Sequence, residues 1–322
     1  MKVAVLGAGI AGLAAARELG RSGAEAVVYE AESRVGGRCQ TISVDGYTFD
    51  PAAISVTPRN MAIERVMFEE LDTDGLIKIE QPIYAHDGRR TFTSDAPAID
   101  QYCYVQGMQR LPELLTEGVD VRLRQRVERI EEKDARFVVR GEGFDAVVLT
   151  VPTPDAVAML EARSDVRKAH NTRYRRCISV VLGFNRKTDV PYHAVVADES
   201  AHPLNRLCIE SAKTPGRAPT GHTALNVLFG PKYSKWHFES PEEELLKDAL
   251  IDIGRILGEG YETPTVTRTY RWVHGIVETN ASFQTVNPAG SRIVVAGDGV
   301  MGGRIEYAYD SGLKAAKLLT EL

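Results

Sequence analysis

Gly7, Gly9 and Gly12 stand at the spacing G-x-G-x-x-G, and a carboxylate, Glu30, follows about eighteen residues after the third glycine. Residues of these types at these intervals can hold a dinucleotide. The first glycine permits a tight turn, the second lets backbone approach a pyrophosphate, and the third lets a helix pack closely on a strand. Ile10 and Ala11 open that helix, whose free N–H groups and positive dipole end would face the phosphates. Glu30 can accept hydrogen bonds from both hydroxyls of an adenosine ribose, and its charge disfavours a 2′-phosphate, which argues against NADP. The glycine turn alone does not choose between NAD and FAD.

Three elements must position these residues. The apolar run Lys2-Val3-Ala4-Val5-Leu6 reads as a strand, the stretch from about Ala11 to Arg21 as a helix, and Ala26-Val27-Val28-Tyr29 as a second strand that ends at Glu30. A bare glycine motif is often only a turn that starts a helix. Strand, helix, strand and terminal acid in this order favour a nucleotide site.

The residues that follow Glu30, Ala31-Glu32-Ser33-Arg34-Val35-Gly36-Gly37-Arg38, resemble the extension found in the flavoprotein group of amine oxidases, protoporphyrinogen oxidase, phytoene desaturase and renalase. The resemblance implies FAD, with Glu30 and Ala31 at the ribose and Gly36, Gly37 and Arg38 at the pyrophosphate. The rigid fork of an arginine suits that oxyanion. Further echoes follow along the chain. Asp45-Gly46-Tyr47-Thr48-Phe49-Asp50, read as a hairpin, is similar to a segment of the same family, although Pro51-Ala52-Ala53 departs from its usual continuation. Gly107-Met108 with Leu111 resembles the family's return to the FAD unit, opening a short helix toward Leu115. Arg126 to Ile130 resembles the strand whose valine backbone holds adenine, which assigns Val127 that role. Asp145 to Pro152 resembles a buried strand beside the dinucleotide and assigns Thr150 and Pro152 to the cofactor.

Near the far end, Ala296-Gly297-Asp298 and then Gly303-Arg304-Ile305-Glu306-Tyr307-Ala308, leading to Ser311-Gly312, are similar to the family's C-terminal motif. The resemblance places Gly297 and Asp298 at the pyrophosphate or ribityl chain, and aims the helix begun by Arg304, Ile305 and Glu306 at the flavin's pyrimidine edge. Tyr307 replaces a family glycine and is a candidate cavity wall. Tyr270-Arg271-Trp272 resembles a renalase strand near the ring, making Trp272 and His274 the other cavity candidates. The family lysine that holds a water near N5 has no recognisable counterpart, and no acid, base or nucleophile stands out. No cysteine near the C-terminal motif can link the flavin, so the FAD is expected to be noncovalent.

Composition agrees with a globular oxidoreductase. The 322 residues are 43% hydrophobic and 26% charged, with a net charge of −5, so there is no basic footprint for nucleic acid. Cys39, Cys103, Cys177 and Cys208 are scattered, without the spacing of a metal site. With no apolar run that spans a bilayer and Met1 leading straight into a strand, the expectation is a cytoplasmic protein without a transmembrane segment.

The expected architecture is α/β: a discontinuous Rossmann-like FAD-binding domain from 1–53, 103–155 and 288–322, and a second α+β substrate domain from 54–102 and 156–287 on a mixed or antiparallel sheet. A helix is expected from Pro58 to Leu71, and another after Ser240 as N-cap, with Pro241 at its first position. The expected activity is a renalase-like oxidase passing a hydride from a small nitrogen-containing or dihydronicotinamide-type substrate to flavin N5, with O2 or a quinone as acceptor. An amine oxidase or a porphyrinogen or desaturase type is the alternative. An NAD-dependent dehydrogenase or a non-catalytic FAD-binding protein stands behind these.

Overall fold

Five short strands lie parallel in the order Ile293–Val295, Ala146–Leu149, Lys2–Leu6, Glu25–Tyr29 and Asp120–Arg122. Their central members are Val, Ile, Leu and Ala, nearly all fully buried, as a parallel sheet covered on both faces requires. This is a computed structural model, and it describes residues 1–93, 99–169, 171–197 and 203–322. The helix Ile10–Arg21 leaves the first strand at the glycine turn, and the C-terminal helix Ile305–Thr320 crosses it. A methyl on Gly312 would overlap the Ala11 carbonyl oxygen, so this residue's lack of a side chain sets how closely the two helices approach.

A second sheet has seven strands in the order Val266–Thr279, Arg173–Phe184, Thr223–Phe229, Leu204–Ile209, Ala194–Ala197, Ile83–His86 and Thr91–Thr93. It is mixed, because Ala194–Ala197 pairs parallel with Ile83–His86 while the other pairs are antiparallel. Period-2 alternation divides its residues. Ile178, Val180, Leu207, Leu225 and Val227 pack under Leu245, Ala249 and Ile253 of the helix Glu242–Leu257. The opposite face meets the loop after the hairpin: the Asn226 amide donates to the Asp50 carbonyl at 2.7 Å and Arg206 Nη2 to the Ala52 carbonyl at 3.2 Å. The fold is therefore the expected α/β type, a Rossmann-like nucleotide fold joined to a substrate-side sheet.

Several local expectations need correction. The helix expected from Pro58 begins at Met61, because Asn60, not Thr57, caps it by accepting from the Ile63 N–H at 3.0 Å; its second half, Val66–Glu70, widens to a π-helix. Ser240 does not cap the next helix, which starts at Glu242; its hydroxyl reaches Glu244 instead. The stretch Val127 to Ile130 is not a strand. Arg124 turns the chain at φ 57°, the backbone N–H groups of Arg124 and Gln125 bond Glu32 and Glu30, and the charged residues beyond project outward. The buried strand expected over Asp145 to Pro152 is shorter, and a separate strand precedes it. Glu142–Phe144 closes an antiparallel meander with Glu131–Lys133 and Arg136–Val139, whereas Ala146–Leu149 joins the parallel sheet, the break falling at Asp145, which accepts from the Lys2 N–H. Short strands follow at Leu76–Lys78, Ile83–His86 and Thr91–Thr93, with 94–98 outside the described residues.

Candidate functional site: a nucleotide crevice closed from both ends of the chain

The crevice forms where the first strand ends. A methyl on Gly12 would overlap the Gly7 carbonyl oxygen, and the Thr150 hydroxyl, shared between the Leu6 and Gly7 carbonyls at 2.9 Å, packs against the same turn. Gly9 faces open space, with nothing within 4 Å of where a methyl would stand, and only the Gly9 Cα, 4.0 Å away, comes near the same position on Gly37. Two bare backbones thus border a gap that a side chain would fill. This is the shape a pyrophosphate needs. The Gly36 N–H donates to the Ala8 carbonyl at 2.9 Å, which ties the second glycine pair to the first, and Gly36 holds φ 113°, a conformation that favours glycine.

Glu30 ends the second strand with both oxygens engaged, accepting from the Ala8 N–H at 2.7 Å and the Glu32 N–H at 2.9 Å. That fixes its carboxylate beside the glycine turn with lone pairs left for ribose hydroxyls. Ala31, half-buried, follows it, and Ile10 and Ala11 are buried in the helix's first turn.

Arg38 Nη1 lies 2.7 Å from Asp298 Oδ2 and also donates to the Gly275 carbonyl at 3.1 Å. The Tyr174 hydroxyl donates to Asp298 Oδ1 at 3.1 Å, and the Arg38 guanidinium lies 5.6 Å from the Tyr174 ring centroid. Burial works against the Arg38 charge, but the neighbouring Asp298 carboxylate more than offsets it and its pKa is raised. Burial pushes the Tyr174 hydroxyl up to about 12, so it remains a donor at neutral pH. Tyr174 and Gly275 come from the two long strands of the substrate-side sheet, and neither was singled out in the sequence. A tyrosine in a strand carries no mark of its partner.

The remaining candidates separate into groups. Gly297, at φ 124°, donates its N–H to the Ser311 hydroxyl at 2.8 Å and so belongs with Asp298. Pro152 precedes the helix Thr153–Glu161, and Thr153 packs against Gly299 beside Asp298. Arg304 occupies the N-cap position of the C-terminal helix without a side-chain cap bond, with Ile305 next. Glu306 is buried; desolvation raises its pKa, and Arg304 and Arg59, at 3.8 and 3.9 Å, offset this only in part. Val127 lies outside this cluster, in a cleft of about 500 Å³ shared with Arg126, Arg129, Val138 and Arg140. Of the cavity candidates, Trp272 donates to the Ser179 hydroxyl at 3.2 Å on the substrate-side sheet. His274 meets the Tyr174 ring edge-on at 5.3 Å, next to the Arg38–Asp298 pair. Tyr307 is 36% exposed and lies over Gly302 and beside Arg304, a surface setting more than a cavity wall.

Behind the Asp50 loop sits a cluster the sequence did not disclose. Asp50 Oδ2 is 2.9 Å from both Lys213 Nζ and Arg217 Nη2, Glu210 Oε2 is 2.5 Å from Lys213 Nζ, and all four side chains are fully buried. Asp50 also accepts from the Thr41 hydroxyl and the Met108 N–H. Burial would raise its pKa, but Lys213 and Arg217 outweigh that and lower it. The cluster braces the turn from hairpin to loop against the sheet.

Glycine turn, Glu30, second glycine pair and C-terminal Gly-Asp thus meet at one crevice. Residues 83–320 match the family described as flavin containing amine oxidoreductase, and residues 5–71 match the NAD(P)-binding Rossmann-like domain. The chain belongs to the flavin containing amine oxidoreductase family, which indicates FAD as its cofactor. It is 39% identical over 90 residues to the "Possible lysine-specific histone demethylase 1" of Drosophila melanogaster, covering 27% of this chain and 10% of that protein. It is 32% identical over 107 residues to a 4,4′-diapophytoene desaturase of Staphylococcus aureus, covering 31% of this chain and 21% of the relative. The chain thus matches only a small part of either relative's length. In fold, it is similar over 99% of its length to 98% of the structure named "Putative protoporphyrinogen oxidase" from Exiguobacterium sp. 255-15, with a TM-score of 0.80 and 16% identity. Among the described residues no helix is long and apolar enough to cross a membrane.

Proposed function

We propose that this protein is a renalase-like oxidase that takes a hydride from a small substrate, either a C–H bond next to nitrogen or a dihydronicotinamide ring, to flavin N5. The observation that carries the reading is the ion pair of Arg38 with Asp298, joined by Tyr174 and the Gly275 carbonyl. It brings the nucleotide crevice against the substrate-side sheet, where a reacting ring needs to be. FAD, when bound, supplies the hydride acceptor, and O2 or a quinone would take the electrons onward.

The chain's own residues bind and orient. Gly9 and Gly37 leave room for the pyrophosphate, the helix from Ile10 offers its N–H groups, Glu30 offers its carboxylate to the ribose, and Arg38 supplies positive charge. Thr150, Pro152 and Gly297 shape the floor, and the helix from Arg304 through Glu306 points its positive end toward the place where charge builds on reduction. Val127 would serve adenine through its backbone. Trp272 and His274 would border the substrate. In this reading 1–53, 103–155 and 288–322 form the FAD unit, and 54–102 and 156–287 the substrate unit. The four cysteines, all buried and none in a disulfide among the described residues, support a reducing, cytoplasmic setting.

A desaturase-type or porphyrinogen-oxidising activity is the second reading, favoured by the similarity to the staphylococcal desaturase. Purified protein tests both. Anaerobic titration with amines or isomeric dihydronicotinamides should bleach the flavin absorption; bleaching only by a polyene or porphyrinogen would favour the second reading. A yellow protein that none of these reduces would end both.

A further inference from the structure

Arg206 lies in the strand Leu204–Ile209, at a register shift between Leu204 and Arg206, on the face turned away from the helix Glu242–Leu257. Its cross-strand neighbours are Val196 and Leu228, both apolar. Its guanidinium makes one hydrogen bond, Nη2 to the Ala52 carbonyl at 3.2 Å, and its buried Nε has no partner. Among the described residues it has no ion pair. Glu210, just past the end of the strand, is committed to Lys213 and Arg217. The Cys208 thiol, pushed up to about 12 by burial, is neutral. Burial lowers the pKa of Arg206 itself, with no carboxylate close enough to reverse it.

A cation taken out of water without a counter-charge is costly, and natural sites resolve this by pairing. Arg38 and Arg217 each hold an aspartate. Arg206 does not. Although desolvated, it retains a partly open side chain, and so do Ala52, Ala53 and Trp272. This accessible side of the sheet faces the loop Asp50–Ala53, which both Arg206 and Asn226 hydrogen-bond. That loop leads directly to the crevice, because the Ala53 N–H donates to the Arg38 carbonyl at 3.1 Å.

We infer that Arg206 is the recognition residue for a carboxylate on the substrate, so that the oxidised molecule is an acid-bearing one and not a simple cationic amine. A planar guanidinium with Nε and Nη1 uncommitted can hold a carboxylate through two parallel hydrogen bonds, fixing the orientation of the C–H bond that reacts. The inference rests on the proposed flavin site for what the carboxylate would be positioned against.

The test pairs ligands of like shape and unlike charge. Benzoate and succinate are titrated against benzamide and succinamide, followed by perturbation of the flavin spectrum and, independently of colour, by calorimetry. In the wild-type protein the carboxylates should bind at least about tenfold more tightly than the amides. Arg206→Met should bring the two within about twofold, and Arg206→Lys should retain part of the difference. Equal affinities, or no binding of any of the four, in the wild-type protein would overturn the inference, with no dependence on whether the variants fold. So would full discrimination in Arg206→Met. A shifted flavin midpoint potential in Arg206→Met with carboxylate preference intact would assign the guanidinium to the flavin, again overturning it. A colourless protein that still prefers carboxylates would sink the flavin reading and leave Arg206 as the anion site.

Discussion

Asp298 accepts from Arg38 across a 2.7 Å gap, an ion pair between a residue of the opening motif and one of the closing motif. Removing either partner leaves the other poorly compensated. Arg38→Ala should weaken FAD binding about tenfold to a hundredfold, as loss of a charged hydrogen bond implies, and Arg38→Lys should recover part of it. Equilibrium titration of stripped protein with FAD measures this, and unchanged affinity in Arg38→Ala would remove Arg38 from the cofactor site.

Gly312 and Gly20 make a second pair of expectations. Gly312→Ala sets a methyl into the Ala11 backbone and should cost about 1–3 kcal/mol, as overpacking generally does. Gly20, where nothing lies within 4 Å, provides the control: Gly20→Ala should be neutral or slightly stabilising. Denaturant midpoints of the two variants decide, and equal midpoints would mean the helices can separate without cost.

The buried quartet predicts a third contrast. Lys213→Met leaves the buried Asp50 and Glu210 with Arg217 as their one remaining cation and should cost about 3–5 kcal/mol. Lys317→Met, which removes an exposed i,i+4 pair with Glu321, should cost less than about 1 kcal/mol. Chemical unfolding of both variants measures the difference.

Acid should unmask a buried histidine. His193 is 2% exposed, its Nδ1 lies 2.5 Å from the Gln81 carbonyl, and burial pushes its pKa down from 6.5 to about 4. Between those values the unfolded chain holds more protons than the folded one, so stability falls as pH drops from 6.5 toward 4, by up to about 3 kcal/mol. Asp252 works in the opposite sense: burial raises it from 3.8 to about 6, so its share of stability is lost as pH rises through that window. Comparing wild type with His193→Asn at pH 7 and pH 5 isolates the histidine. The variant should lose less stability on acidification, and parallel pH profiles would contradict this.

What the sequence disclosed and what it withheld divide along physical lines. Gly7, Gly12 and Gly36 were legible as turn residues because the backbone there favours glycine by its φ or by close approach, and Glu30 as the acid that ends the second strand. The π-turn at Val66 and the break at Asp145 were not, since both follow from tertiary bonds. Tyr174, the Gly275 carbonyl and Arg206 were likewise hidden. Their roles arise from the register of strands paired far across the chain, and a local pattern holds no trace of register. Asp50 stood in a recognised segment, but Lys213 and Arg217, which explain its burial, are distant and individually ordinary.

The parallel sheet ends with Ile293–Val295 laid beside Ala146–Leu149. During synthesis the earlier strand must therefore wait, its outer N–H and C=O groups bare and its residues fully apolar, while five strands of the mixed sheet are made. The ribosome delivers the glycine turn well before Asp298. A nascent chain halted before residue 293 would carry the fingerprint of a nucleotide binder but an adhesive open flank in place of a finished cofactor seat.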